Sequence, residues 1–279
     1  MRIITAEKVR KRVADLAIKA NLELRPDVLR LIKGSLKLEN KKIARNALRF
    51  IIRNARIAKS KKIAICQDTG LPIVFVDLGN EIFVKGDMIS AIQAGIRDGY
   101  KKAHLRQSVV LDPLRRKVRT GYNPAVVNIR IIKGNKLILS VLAKGFGCEN
   151  KSAVKMFNPT ASIEDISSWI LEVVKAAGPD ACPPFVLGIG IGGTLDEAAK
   201  LAKYALLEPI NRKNKDKFLS NLENKILKKV NNTGIGPFGL GGKTTALAVK
   251  ILTCPTHIAG LPVAINISCH ALRSTKTKL

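Results

Sequence analysis

The sequence predicts an α+β fold in which N-terminal helices pack on a mixed sheet. Three observations predict it. The first sixty residues carry apolar positions at helical spacing, the texture turns at Lys62 to short β-branched runs, and no repeating strand–helix unit follows. Neither a repeat nor a long linker interrupts the 279 residues, so the reading is one domain over 1–279, helical over 1–60 and mixed over 61–279.

Element by element, Thr5 is placed to cap a helix that carries Val9, Val13, Leu16 and Ala17. A second helix starts near Pro26, suited to a first helical turn, carries Val28, Leu29 and Leu31, and is expected to end at Gly34. A third covers about 41–59, with Ile43, Ala47, Phe50, Ile51 and Ala55 as its apolar side. KIAIC (62–66) and PIVFVDL (72–78) read as buried strands joined by the polar loop CQDTG (66–70), and a helix follows over about 88–102. The run 126–144 reads as a hairpin about Gly134-Asn135 that leaves through a second polar loop, GFGCENKS (145–152). A helix over 162–177 ends at Gly178-Pro179, and a Cys-Pro-Pro turn, a short apolar strand and the glycine loop GIGIGG (188–193) come next. Thr194 and Glu197 have the spacing of a capping box for the helix after it. Residues 211–230 read as a solvated helix with Phe218, Leu222, Ile226 and Leu227 on its apolar stripe, GIGPFGLGG (234–242) as a third glycine loop, and LPVAINISC (261–269) as the last strand.

Composition narrows the function. Apolar residues make up 46% and charged residues 25%, the balance of a globular chain, and no run reaches the roughly 18 apolar residues of a membrane-spanning helix. MRIITAEKVRKRV has no apolar block ahead of a small-residue cleavage site, so a cytoplasmic protein is expected. Lys and Arg number 49 against 21 Asp and Glu, a net charge of +28. That charge raises nucleic-acid binding as a remote alternative, weakened because the cations are spread along the chain and aromatics are only 4%. A cationic protein equally attracts small dianions or an acidic partner.

The glycine loops are ambiguous. Gly188, Gly190 and Gly193 satisfy GxGxxG in letters without a βαβ series around them, and Pro237 stands where a phosphate loop needs its first glycine. Close backbone approach, or amides aimed at an anion, fits both better than ATP. Five cysteines with no CxxC pair leave metal, catalysis or burial. Cys66, Cys182 and Cys269 sit on polar or proline-bound turns far apart in sequence, a set that three-thiolate ligation of a cubane would use; local spacing alone favours buried structural thiols instead. His257, between two prolines, is the histidine best placed for function, and Arg106, near a helix end and a polar turn, suits a carboxylate pair or the surface charge that an isolated arginine usually is.

Five ordered blocks carry a more specific signal: CQDTG (66–70), GCENKS (147–152), CPP with GIGIGGT (182–194), GIGPFGLGGKTTA (234–246) and THIAGLPVAINISCHALR (256–273). The series resembles the class I, iron–sulfur-dependent fumarate hydratases and the related L-tartrate dehydratase α subunits, over nearly the whole chain. The resemblance implies a hydro-lyase with a [4Fe-4S] cluster on loops at strand ends, bound by Cys66, Cys182 and Cys269. It implies substrate contacts from Gln67, Asp68, Arg106 and Gly147, with Asp68 also a candidate for proton handling, and a catalytic role for His257 toward a neighbouring subunit's site. Cys148 departs from the small residue expected in its loop. Single-chain members carry a further C-terminal domain, so the resemblance implies the α half of a split enzyme, active only with a β subunit and assembled as an α2β2 heterotetramer. The expected reaction interconverts fumarate plus water and L-malate; dehydration of L-tartrate or another 2-hydroxydicarboxylate is the alternative.

Overall fold

The computed structural model describes residues 2–116 and 120–279. In chain order the elements are β1 (Arg2–Thr5), α1 (Ala6–Leu22), α2 (Pro26–Leu38), α3 (Lys42–Lys61), β2 (Leu71–Gly79), β3 (Ile82–Lys85), α4 (Met88–Lys102), β4 (Val109–Val110), β5 (Thr120–Gly121), β6 (Val126–Ile132) and β7 (Leu137–Lys144). They continue with α5 (Phe146–Glu149), β8 (Ala153–Phe157), α6 (Ile163–Ala177), β9 (Phe185–Gly193), α7 (Leu195–Ala205), α8 (Lys217–Asn231), β10 (Ala246–Thr256), β11 (Leu261–Ser268) and β12 (Ser274–Lys278). The mixed α+β class agrees with the sequence. Where the sequence reading has one domain, the contacts of the chain divide into two compact units. One comprises Met1–Arg25, Asn54–Phe146 and Arg273–Leu279, the other Pro26–Arg53 and Gly147–Leu272.

The first unit is built on a sheet of order β12-β7-β2-β6. Its core joins Val9, Val13 and Leu16 of α1 to Ile92, Ile96 and Tyr100 of α4 and to Val74, Val76, Leu139 and Val141 of the sheet. Thr5 caps α1 as expected, its hydroxyl accepting from the Lys8 amide. The expected 126–144 hairpin is not formed. Both strands exist, but β2 lies between them, parallel to β6 and antiparallel to β7. The reason is burial: residues 72–76 of β2 are all buried, so that strand takes the centre, whereas β6 is mostly exposed or half-buried. KIAIC is not a strand either. Lys62 turns left-handed at φ 53 after α3, and the Ile65 amide bonds to the Asn21 carbonyl rather than to a ladder. LPVAINISC is not the last strand, because β12 follows it and pairs with β7.

The second unit is built on a sheet of order β10-β9-β11-β8. Ile166, Ile170 and Val174 of α6 and Leu222, Ile226 and Val230 of α8 cover one face, meeting Phe185, Leu187 and Ile189 of β9 and Val263, Ile265 and Ile267 of β11. Helix α7 covers the other face through Ala198 and Ala202. GIGIGG is therefore strand rather than loop, and its glycines serve close approach. A Cβ on Gly188 would lie 2.1 Å from the Ala202 carbonyl oxygen, and one on Gly190 would lie 2.1 Å from that of Ala198. The Thr194–Glu197 capping box does not form, since the Thr194 hydroxyl bonds to the Asp196 carboxylate. Helix α2 starts at Pro26 as expected but runs through Gly34 to Leu38, Gly34 facing open space. On α3, Ala47, Ile51 and Ala55 are buried, but Ile43 and Phe50 of the expected apolar side are 53% and 62% exposed. Among the described residues, no helix is long and apolar enough to cross a membrane.

Candidate active site

Cys66, Gln67, Asp68 and Arg106 lie in the first unit, and Gly147, Cys182, His257 and Cys269 in the second. Within neither unit do three or more His, Cys, Asp or Glu side chains gather as a metal site, among the described residues. Each unit does organise its own members.

In the first unit, the turn 66–70 leaves the α3 end with Cys66 and Gln67 exposed, Asp68 half-buried, and Thr69 and Gly70 buried. Side-chain hydrogen bonds fix it. Asn54 Nδ2 donates to the Ile65 carbonyl (2.9 Å), the Tyr100 hydroxyl donates to the Thr69 carbonyl (2.9 Å), and Thr69 Oγ1 donates to the Arg106 carbonyl (3.1 Å). The last ties the turn to the segment that carries the exposed Arg106 side chain. Another tether is the Asp68 carboxylate, whose Oδ1 accepts from the Gly70 amide (2.9 Å) and Oδ2 from the Phe146 amide (2.8 Å). Arg273, only 3% exposed, donates from Nη1 to the Asp68 carbonyl, while its Nε is buried with no hydrogen-bond partner among the described residues. Burial pushes the Tyr100 phenol up to about 12, so the hydroxyl that holds Thr69 stays protonated over the physiological range.

In the second unit, Cys182 is exposed and follows the 3-10 turn Gly178–Ala181, in left-handed backbone at φ 54 and ψ 66. Its amide donates to the Pro179 carbonyl (2.9 Å). Its carbonyl accepts twice from His270, from the backbone amide (3.3 Å) and, with the proton on Nδ1, from the ring (3.1 Å). His270 follows Cys269, the half-buried thiol just past the end of β11, so the turns carrying Cys182 and Cys269 are directly bonded. Phe238 covers the other side of His270, the two rings 5.2 Å apart and at 77°.

The remaining predicted residues stand apart. His257 occupies the exposed turn between β10 and β11, where its Nδ1 accepts from the Ala259 amide (3.2 Å). It lies before β11 and Cys269 after it. Eight strand residues span about 26 Å at roughly 3.3 Å each, so one chain does not bring its own His257 to its own Cys269. Gly147 is exposed, and a Cβ there would make only ordinary contact, 3.8 Å from the Asp180 carbonyl oxygen. No cysteine forms a disulfide. Cys148 is 4% exposed within the core of the second unit. Cys254, half-buried, has its thiol pushed up by burial and by Glu197.

Sequence reasoning missed Arg273, Tyr100 and Phe238, and passed over His270. Their partners lie far away along the chain, 205 residues in the case of Arg273 and Asp68. The one local signal was a cation and a histidine just beyond an apolar strand.

Comparison with known proteins covers almost the whole chain. Residues 10–278 match the family described as Fumarate hydratase (Fumerase). A Methanocaldococcus jannaschii chain provisionally named L(+)-tartrate dehydratase subunit alpha is 41% identical over 95% of each chain. The L(+)-tartrate dehydratase subunit alpha of Escherichia coli is 26% identical over 95% of this chain and 89% of its own. With the match extending from α1 to β12, this chain belongs to the class I fumarate hydratase family, which includes the L-tartrate dehydratase α subunits.

Proposed function

We propose that the chain is the α subunit of an iron–sulfur hydro-lyase that interconverts fumarate plus water and L-malate, acting in the cytoplasm with a separate β subunit in an α2β2 assembly. The observation that carries this reading is Asp68. Asp68 is half-buried beside an exposed thiol, its carboxylate held by two amides and its backbone carbonyl by Arg273, an arrangement suited to chemistry rather than to packing.

The donor set fits a cluster. Cys66 and Cys182 present exposed thiols on fixed turns, Cys269 is half-buried on a turn bonded to that of Cys182, and soft thiolates suit iron. These three would hold the [4Fe-4S] group. Cys148, 4% exposed in the core of the second unit, is left out of the ligand set. When bound, the cluster's open iron supplies Lewis-acid chemistry at the substrate hydroxyl.

The chain's own residues supply the rest. Gln67 and Arg106, both exposed, grip the dicarboxylate, Arg106 by paired N–H donors to one carboxylate. The amide of Gly147 adds a backbone contact. Asp68 handles the proton on the carbon next to the hydroxyl-bearing one; each of its carboxylate oxygens accepts one amide, which leaves each with a second lone pair. His257, on its projecting turn, serves the site of a neighbouring copy.

A second reading has its own support. The relatives at 41% and 26% identity carry names for L-tartrate dehydration, and L-tartrate differs from L-malate by one hydroxyl. Anaerobic co-expression with the β subunit and parallel assay on both substrates decides. Malate turnover exceeding tartrate turnover is expected. The reverse, by a wide margin, moves the assignment to tartrate, and an iron-free preparation that still dehydrates either acid removes the cluster chemistry.

A further inference from the structure

The glycine loop 234–242 places one residue where glycine would be easier. Gly234, Gly236, Gly239, Gly241 and Gly242 all have positive φ, and so does Phe238, at φ 54 and ψ 19. A phenylalanine pays a steric penalty in this region that glycine does not. The ring is 37% exposed, so core burial does not explain its presence. What it does is meet His270 edge to face, 5.2 Å between centroids, while the Phe238 amide donates to the Pro183 carbonyl (2.9 Å).

The loop behind it is anchored for that purpose. The Gly236 amide donates to Thr245 Oγ1 (3.1 Å), the Gly241 amide to the Ile235 carbonyl (2.9 Å), and the Lys243 amide to the buried Glu39 carboxylate (2.6 Å). On the far side, both the amide and the ring of His270 converge on the Cys182 carbonyl. Cys182 and Phe238 are the two non-glycine residues of the second unit with positive φ among the described residues, and His270 bridges them. Strained backbone at both ends of one contact chain marks a geometry the surrounding structure enforces.

We propose that Phe238 is a positioning residue: by bracing His270 it holds the Cys182 turn so that the thiol is presented to the cluster. The inference rests on reading Cys182 and Cys269 as cluster ligands. It predicts that glycine at 238, though better suited to the backbone, degrades the site.

The test uses the complex with the β subunit, made without air, in wild type, Phe238→Gly and Phe238→Tyr. Phe238→Gly should unfold at the same temperature or higher, yet carry several-fold less iron per α chain and lose its visible absorbance several-fold faster in air. Phe238→Tyr, which keeps the ring, should match wild type. In the cluster-free full chain, iodoacetamide should alkylate Cys182 several-fold faster in Phe238→Gly, with Cys66 unchanged as internal reference. Unaltered iron content and an unaltered Cys182 rate overturn the proposal. So does a lower unfolding temperature with Cys66 and Cys182 accelerated together, which would make the ring a general support. A wild-type complex that takes up no iron removes the cluster reading instead, and the alkylation ratio still decides whether Phe238 braces the turn.

Discussion

Asp68 is held at three of its oxygen atoms: both carboxylate oxygens by amides and the carbonyl by Arg273. Removing the buried guanidinium leaves that carbonyl without this donor, so Arg273→Leu should cost about 1–3 kcal/mol in urea unfolding and lower kcat more than it raises KM. Tyr100→Phe, which removes the bond to Thr69, should cost about 1 kcal/mol. The Tyr100 phenol also sets an alkaline limit. Its raised folded pKa, about 12 against 10, stabilises the protein fully below pH 10, and that contribution is lost as pH rises toward 12. Tyr100→Phe should flatten the fall in unfolding free energy across that window. Of these residues, Asp68 was singled out only through the resemblance carried by CQDTG (66–70). Arg273 and Tyr100 were not. A lone arginine after a strand has the local signature of a surface charge, and a tyrosine on an amphipathic helix that of core, until the fold brings distant segments together.

At the scale of elements, local patterning predicted what each segment is better than what it pairs with. The runs 126–132 and 137–144 were legible as strands, but the insertion of β2 between them follows from its burial on both faces, which no turn signal reports. GIGIGG was misread because glycine runs signal loops, whereas here the missing side chains admit α7. Gly190→Ala forces a Cβ to 2.1 Å from the Ala198 carbonyl oxygen and should lower stability by about 1–3 kcal/mol in thermal or urea unfolding. The contact of α6 with α8 includes Glu164, whose carboxylate accepts from Lys225 and Lys229 and is held down from 4.5 to about 2 by those two bonds. A depressed folded pKa contributes stability above pH 4.5 that is lost as pH falls toward 2. Glu164→Gln should reduce the acid sensitivity of unfolding in that window, modestly, because the group is solvent-exposed and screened.

For the molecule as a whole, the family was legible in five ordered blocks and is the family that the comparisons match. The two cores were not legible, because each unit is assembled from segments that are not contiguous in the chain. The charge of +28 remains outside the chemistry of the turns. An acidic β subunit would account for it, and association of the two chains should then weaken steeply with added salt, measured by light scattering or sedimentation; salt-insensitive assembly contradicts that account. The central claim is tested most directly by iron analysis of the anaerobically purified complex, in wild type and in single Ser replacements of Cys66, Cys182, Cys269 and Cys254. The account predicts that each of the first three abolishes the cluster while Cys254→Ser retains it. Full iron content after the loss of Cys66, Cys182 or Cys269 would contradict it.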